Sequence, residues 1–175
     1  ALRREHGVTS VNKLVGDDSC DFLVVGGGFT GLWTALELAR QEPSATIRVL
    51  EAGLCGSGAS GANAGYLMNL WPKFLSLRAM LGVDQAIEFG VRADRAVKEI
   101  VEFVGSRGAD VELQQGSWLW AATNEVQGDA WAETIDALAD AGLEPFQVLS
   151  AEESRRLCGT QTHFGGALDP TCAAL

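Results

Sequence analysis

Apolar and polar positions change period several times along this chain. Phe22-Leu23-Val24-Val25 is a continuous apolar run of β-forming residues, the pattern of a strand covered on both faces. From Phe29 to Gln41 the period is helical, with Leu32, Ala35, Leu36 and Ala39 on one stripe, and Pro43 and Ser44 end it. Ala45 to Leu50 reads as a second strand that closes on Glu51. This β-α-β succession predicts an α/β fold with parallel strands. Tyr66 to Trp71 is apolar and is interrupted by Pro72. Asp84 to Arg107 reads as a long helix with Phe89, Ala93, Val97, Ile100 and Val104 as its core stripe, ended by Gly105 and Gly108.

The second half predicts mixed elements. Residues 110 to 122 read as a β-hairpin or two short strands turning at Gly116. Trp118 and Trp120 fall on one side of a strand, and a core or inter-domain pair is favoured over a substrate-facing wall. Asn124 to Ala141 reads as an amphipathic helix with Trp131, Ile135 and Leu138 inside and Gly142 as its cap. Phe146 to Leu149 and Phe164 to Leu168 read as strands, with a short helix from Ala151 to Leu157 between them.

The first strand runs into Gly26-Gly27-Gly28-Phe29-Thr30-Gly31, with glycines at the G-x-G-x-x-G spacing. Gly26 permits a tight turn, Gly28 lacks a Cβ that would hold off a pyrophosphate, and Gly31 lets the helix pack closely on the sheet. The helix start offers free amides and a positive dipole end to phosphates. Glu51 stands 20 residues past Gly31, where a carboxylate accepts from ribose hydroxyls. A strand–turn–helix that binds no nucleotide is the alternative, and the surrounding β-α-β context disfavours it. Small residues then dominate Ala52 to Gly65, so the backbone there can come close to a flat or charged group. Ser60 and Asn63 are side-chain hydrogen-bond formers within it before Tyr66.

Composition narrows the function classes. The chain has 175 residues, 47% of them apolar, enough for a real core. A net charge of −10 argues against nucleic acid and against an anionic membrane surface. No apolar run has the length needed to span a bilayer, and Ala1-Leu2-Arg3-Arg4-Glu5-His6 lacks the apolar core of a secretory signal. Cys20, Cys55, Cys158 and Cys172 are not in metal-binding spacing, which predicts reduced thiols in a cytoplasmic protein. His6 and His163 are the two histidines and predict no metal site. No Ser/His/Asp or paired-carboxylate constellation stands out, so no catalytic residue is assigned.

Three blocks carry a family resemblance: Val24 to Ala35, Val49-Leu50-Glu51-Ala52, and Gly58 to Gly65. Weaker echoes run through Gly116 to Ala121 and Leu149 to Glu153. Together they resemble the FAD-dependent amine and amino-acid oxidoreductases of the D-amino-acid oxidase and sarcosine oxidase superfamily, in its γ-glutamylputrescine oxidase-like branch. The resemblance implies a Rossmann-like FAD-binding domain interleaved with an α+β substrate domain, here the N-terminal part only. It implies an extension over 1–20, a first part of the FAD-binding domain over 21–109, part of the substrate domain over 110–168, and the start of a return to the FAD domain over 169–175. Gly26, Gly28, Phe29, Thr30 and Gly31 would surround the pyrophosphate. Glu51 and Ala52 would hold the ribose end, and Ala59, Ser60, Gly61, Asn63, Ala64 and Gly65 would line the path to the isoalloxazine. The family loop usually reads G-x-S-G-R-N-G-G; this chain has Ala62 in place of Arg and Ala64 in place of Gly. The loop has no histidine, so non-covalent FAD is expected. The implied reaction is oxidation of an amine or amino-acid C–N bond to an imine, with oxygen as acceptor. An FAD-dependent 2-hydroxy-acid dehydrogenase, a non-catalytic FAD-binding fragment or subunit, and an NAD-binding domain are the alternatives. The resemblance further implies that the chain works with a companion C-terminal polypeptide or as the start of a longer one.

Overall fold

A computed structural model describes residues 13–108 and 111–175. Residues 1–12 of the expected extension, and the pair at the expected 109/110 boundary, lie outside the described residues. The chain forms two compact units that divide after Asn63.

In the first unit, strands β1 (Phe22–Val25) and β2 (Ile47–Leu50) pair in parallel, with Phe22 opposite Ile47 and Val25 opposite Leu50. Helix α1 (Phe29–Gln41) crosses between them, and a one-turn helix α2 (Ala59–Ala62) follows. Asp21 Oδ2 accepts from the Thr46 amide at 2.8 Å, and Arg48 pairs with Asp18 at 3.1 Å. Two expectations need correcting. The half-buried stripe of α1 is Gly31, Leu32, Ala35 and Leu38, whereas Leu36 and Ala39 are exposed. The helical period admits either stripe, and the side on which the two strands lie selects one. The cover expected on both faces of β1 is also missing: Leu23 is 54% and Val25 80% exposed. One helix covers one face of a two-stranded sheet, and no other described element of this unit covers the rest.

The second unit is built on a four-stranded sheet. Its strands are β3 (Tyr66–Leu67), β4 (Gln114–Ala122), β5 (Gln147–Leu149) and β6 (Gly165–Ala174). β6 is central and pairs antiparallel with all three others. Helices α3 (Phe74–Leu81), α4 (Val83–Arg107), α5 (Ala132–Asp140) and α6 (Ala151–Cys158) complete it. Among the described residues no helix is long and apolar enough to cross a membrane.

One core cluster joins Trp71, Phe74, Ala86, Ala137 and Leu138; a second joins Ala122, Trp131 and Ala167, with Trp120 packed against it. Gly90 sits against the Trp71 ring, which an added methyl would enter, and Trp71 Nε1 donates to Asp94 Oδ2 at 3.0 Å. The buried residues of α4 are therefore Ala86, Gly90 and Val97, and Phe89, expected in the stripe, is 48% exposed. Small side chains decide this: an indole fits over Gly90 and has no such room over Phe89.

Residues 114 to 122 form one strand, so Gly116 is not a hairpin turn. Its partner β6 also runs past Leu168, where the sequence reading stops it. Gly116 faces Cys172 and Trp118 faces Asp169, so Pro170 and Thr171 stand opposite Ser117 alone. A bulge absorbs Pro170, which has no amide to give the ladder. Asp169, 1% exposed, steadies it: Oδ1 accepts from the Thr171 amide at 2.9 Å and Oδ2 from Asn69 Nδ2 at 2.5 Å. Residues 124 to 141 are not one helix either. Asn124 Oδ1 accepts from the Gln127 amide at 3.1 Å and caps a 3₁₀ turn at Glu125–Gln127, and α5 starts only at Ala132. The Trp118 and Trp120 rings share a side of β4, with centroids 6.2 Å apart.

Candidate cofactor site

Two glycine turns meet at the end of the parallel strand pair. Gly26 has φ 106°, and its amide donates to Leu50 O at 2.7 Å, so the turn leaves β1 while still paired to β2. Gly31 rests on the Gly26 carbonyl, which a Cβ at 31 would enter. Thr30 O accepts from Thr34 Oγ1 at 2.7 Å inside α1. The Ser60 hydroxyl stands over Gly28, 2.9 Å from where a Cβ would be, and accepts from the Phe29 amide at 2.9 Å. That removes one unpaired donor from the start of α1.

Glu51 ties the turns together. Its Oε2 accepts from the Gly27 amide and its Oε1 from the Gly53 amide, each at 2.8 Å. These two contacts, the first the larger, hold its carboxyl below the usual carboxylate range, and the Ala52 amide adds to them. Gly27, the buried residue of its turn, also accepts from the Gly56 amide at 2.8 Å.

The second turn repeats the first. Gly56-Ser57-Gly58-Ala59-Ser60-Gly61 has the same G-x-G-x-x-G spacing, which the sequence reading passed over. Gly56 has φ 75°, a Cβ at Gly61 would enter the Gly56 carbonyl, and Gly58 precedes α2 as Gly28 precedes α1. Spacing alone would have flagged Gly56 and Gly58. The structure thus brings together Gly26, Gly28, Phe29, Thr30, Gly31, Glu51, Ala52, Ala59, Ser60 and Gly61, and Asn63 Nδ2 donates back to Ser60 O. Ala64 and Gly65 open the second unit. Among described non-glycine residues Glu112 alone has a positive φ, so Ala64 fits its backbone without strain. Gly65 has φ 73°, and its carbonyl accepts from the Leu175 amide at 2.9 Å, with no room for a Cβ beside Leu175 O. His163 lies elsewhere, its Nδ1 3.1 Å from Ser154 Oγ.

A sequence profile of the family described as FAD dependent oxidoreductase matches residues 21–175. The chain belongs to this family. FAD is the family's cofactor. The γ-glutamylputrescine oxidoreductase of Escherichia coli (strain K12) is 32% identical over 152 residues, covering 86% of this chain and 35% of the relative. Glycine oxidase from Geobacillus kaustophilus superposes with a TM-score of 0.63 at 24% identity, over 89% of this chain and 40% of that one. The L-α-glycerophosphate oxidase of Mycoplasma pneumoniae, solved with FAD bound, gives 0.65 at 19% identity over 91% and 39%. At those identities the structures show a shared fold, the Rossmann-like FAD-binding architecture of the N-terminal part of such oxidoreductases. This family member spans about a third of the length of the curated relatives it matches.

Proposed function

We propose that the chain is the FAD-holding N-terminal part of an oxidoreductase that converts an amine or amino-acid C–N bond to an imine, with oxygen as electron acceptor, in the cytoplasm. The observation that carries the reading is the pair of like-built glycine turns joined by Glu51. The residues fit FAD. An added Cβ at Gly26, Gly56 or Gly58 would meet nothing within 4 Å, so those backbones are bare to a close-lying diphosphate. The Glu51 oxygens accept from the Gly27 and Gly53 amides, with the Ala52 amide adding to them, and a carboxylate's remaining lone pairs serve ribose hydroxyls.

Gly26, Thr30 and Gly31 would then present backbone to the pyrophosphate, beside Gly28 and Phe29, whose Cβ space and amide are taken by the Ser60 hydroxyl, and Glu51 and Ala52 would hold the ribose end. Ala59, Ser60, Gly61, Asn63, Ala64 and Gly65 would shape the path toward the flavin ring. When bound, FAD supplies the two-electron acceptor for hydride removal from the carbon next to nitrogen. The loop offers no histidine for covalent attachment, and non-covalent FAD is part of the same proposal. In the same proposal, residues 21–109 begin the cofactor domain, 110–168 belong to the substrate domain, and 169–175 begin the return. The exposed Leu23 and Val25 support a companion C-terminal polypeptide or a longer parent chain that covers β1.

The full-length protein is expected to show flavin absorption near about 370 and 450 nm. Acid precipitation should release that colour to the supernatant. Anaerobic mixing with amines and amino acids should bleach it, and air should restore it. Bleaching by 2-hydroxy acids alone would favour the dehydrogenase alternative; a colourless protein would overturn the reading.

A further inference from the structure

Position 55 has no role in the reading above, yet it touches the middle of the first glycine turn. Gly27 is held on three sides. Glu51 accepts from its amide, and Gly56 donates to its carbonyl. On the third side lies Cys55: a Cβ added to Gly27 would be 2.5 Å from Cys55 Sγ and 3.2 Å from Cys55 Cα and Cβ. Position 55 is itself fixed. The Ser57 amide donates to Leu54 O at 3.0 Å, Gly56 is tied to Gly27, and Gly61 rests on the Gly56 carbonyl. The cysteine, exposed on its outer side, thus lies from a hydrogen-bonded loop directly against the turn that the buried Gly27 centres. On the Gly27 side the contact is close-packed and includes the Cys55 backbone, so added bulk there has to be taken up by a shift of the turn.

We infer that Cys55 is a positioning residue that sets the conformation of the Gly26–Gly31 turn through Gly27, so that side-chain size at position 55 controls FAD loading. The inference rests on the FAD reading and uses the volume of the sulfur, not its chemistry. Bulk beyond cysteine would push Gly27 off Glu51 and Gly56, tilting the amides at the turn. A methyl on Gly27 would do the same from the other side, and trimming position 55 would relieve it.

The test uses full-length protein stripped of FAD and reloaded, with FAD affinity read from quenching of flavin fluorescence and apoprotein melting temperature as the control for folding. Gly27→Ala should weaken FAD binding about tenfold, and adding Cys55→Ala should recover part of that loss, as contacting sites couple. Cys55→Ser should load like the wild type, and Cys55→Leu should load about tenfold more weakly with a changed circular dichroism of the bound flavin. Additive effects of Gly27→Ala and Cys55→Ala, or wild-type affinity in Cys55→Leu, would overturn the inference. So would an apoprotein melting temperature that falls in step with affinity. If Gly27→Ala does not fold, the comparison of Cys55→Ser with Cys55→Leu decides alone. Wild-type protein that takes up no FAD refutes the cofactor reading itself, whereas wild-type loading with indifferent Cys55 variants refutes only this inference.

Discussion

Glu51 shows how one side chain can serve two loops. Its carboxylate accepts from Gly27 and Gly53 amides, and both contacts favour the charged form. The folded pKa is therefore depressed. A depressed carboxylate stabilises the site fully above its ordinary unfolded value, and that contribution is lost as pH falls through the lower folded value. Glutamine at 51 would offer one acceptor oxygen and turn an NH₂ toward an amide donor. Glu51→Gln should therefore weaken FAD binding about tenfold at neutral pH. The two proteins should converge only as the pH falls through the depressed folded pKa of Glu51, where the wild-type carboxyl becomes neutral as the glutamine amide is. Equilibrium dialysis of FAD across pH checks this, and a gap that persists unchanged into acid would remove the charge from the account. Cys172 shows the opposite shift. Burial, with the Asp169 charge adding, pushes its thiol up to about 11, so it stays neutral and unreactive in the folded chain.

Among the elements, α4 and the Trp71 turn depend most on one contact. Helix propensity alone favours Gly90→Ala by up to about 1 kcal/mol. The added methyl would enter the Trp71 ring, however, and overpacking of this kind costs about 1–3 kcal/mol. The clash should win, and Gly90→Ala should lower the denaturant midpoint; a higher midpoint would mean that Trp71 does not pack on that face. The β6 bulge follows a similar logic. Pro170 forbids a regular ladder, and the Asp169, Thr171 and Asn69 side chains make the irregular one hold. In sequence Pro170 reads as a stop, because its lost amide is visible there and the hydrogen bonds from residues 100 positions away are not.

At the scale of the whole molecule, the first unit displays apolar strand residues that the proposed longer chain or companion would cover. Leu23 and Val25 stand open beside Phe22 at 37% and Leu50 at 36% exposure. Burying such side chains contributes about 1.5–3 kcal/mol each. Leu23→Thr with Val25→Thr keeps β propensity and removes apolar surface. In residues 1–175 expressed alone, the pair should raise the soluble fraction. In full-length protein it should lower unfolding stability by about 2 kcal/mol or more. Full-length protein indifferent to both changes would show that nothing covers this face.

The sequence by itself determined the β-α-β start, the first glycine turn and Glu51, because strand runs, helical stripes and glycine spacing are local patterns. The second glycine turn was equally legible in Gly56, Gly58 and Gly61 and needed only a comparison of the loop with the first turn. Tertiary structure decided which stripe of α1 faces inward and turned Phe89 out of the α4 stripe, whose other expected members Ala93, Val97, Ile100 and Val104 lie on the inner side, since a helical period fixes a face only relative to a partner. It also decided that β4 is one strand and that β6 continues through Pro170, because strand pairing and bulges depend on residues far apart in the chain. The contact between Cys55 and Gly27 is of that second kind: two positions 28 residues apart are matched in volume, and nothing local to either one states it.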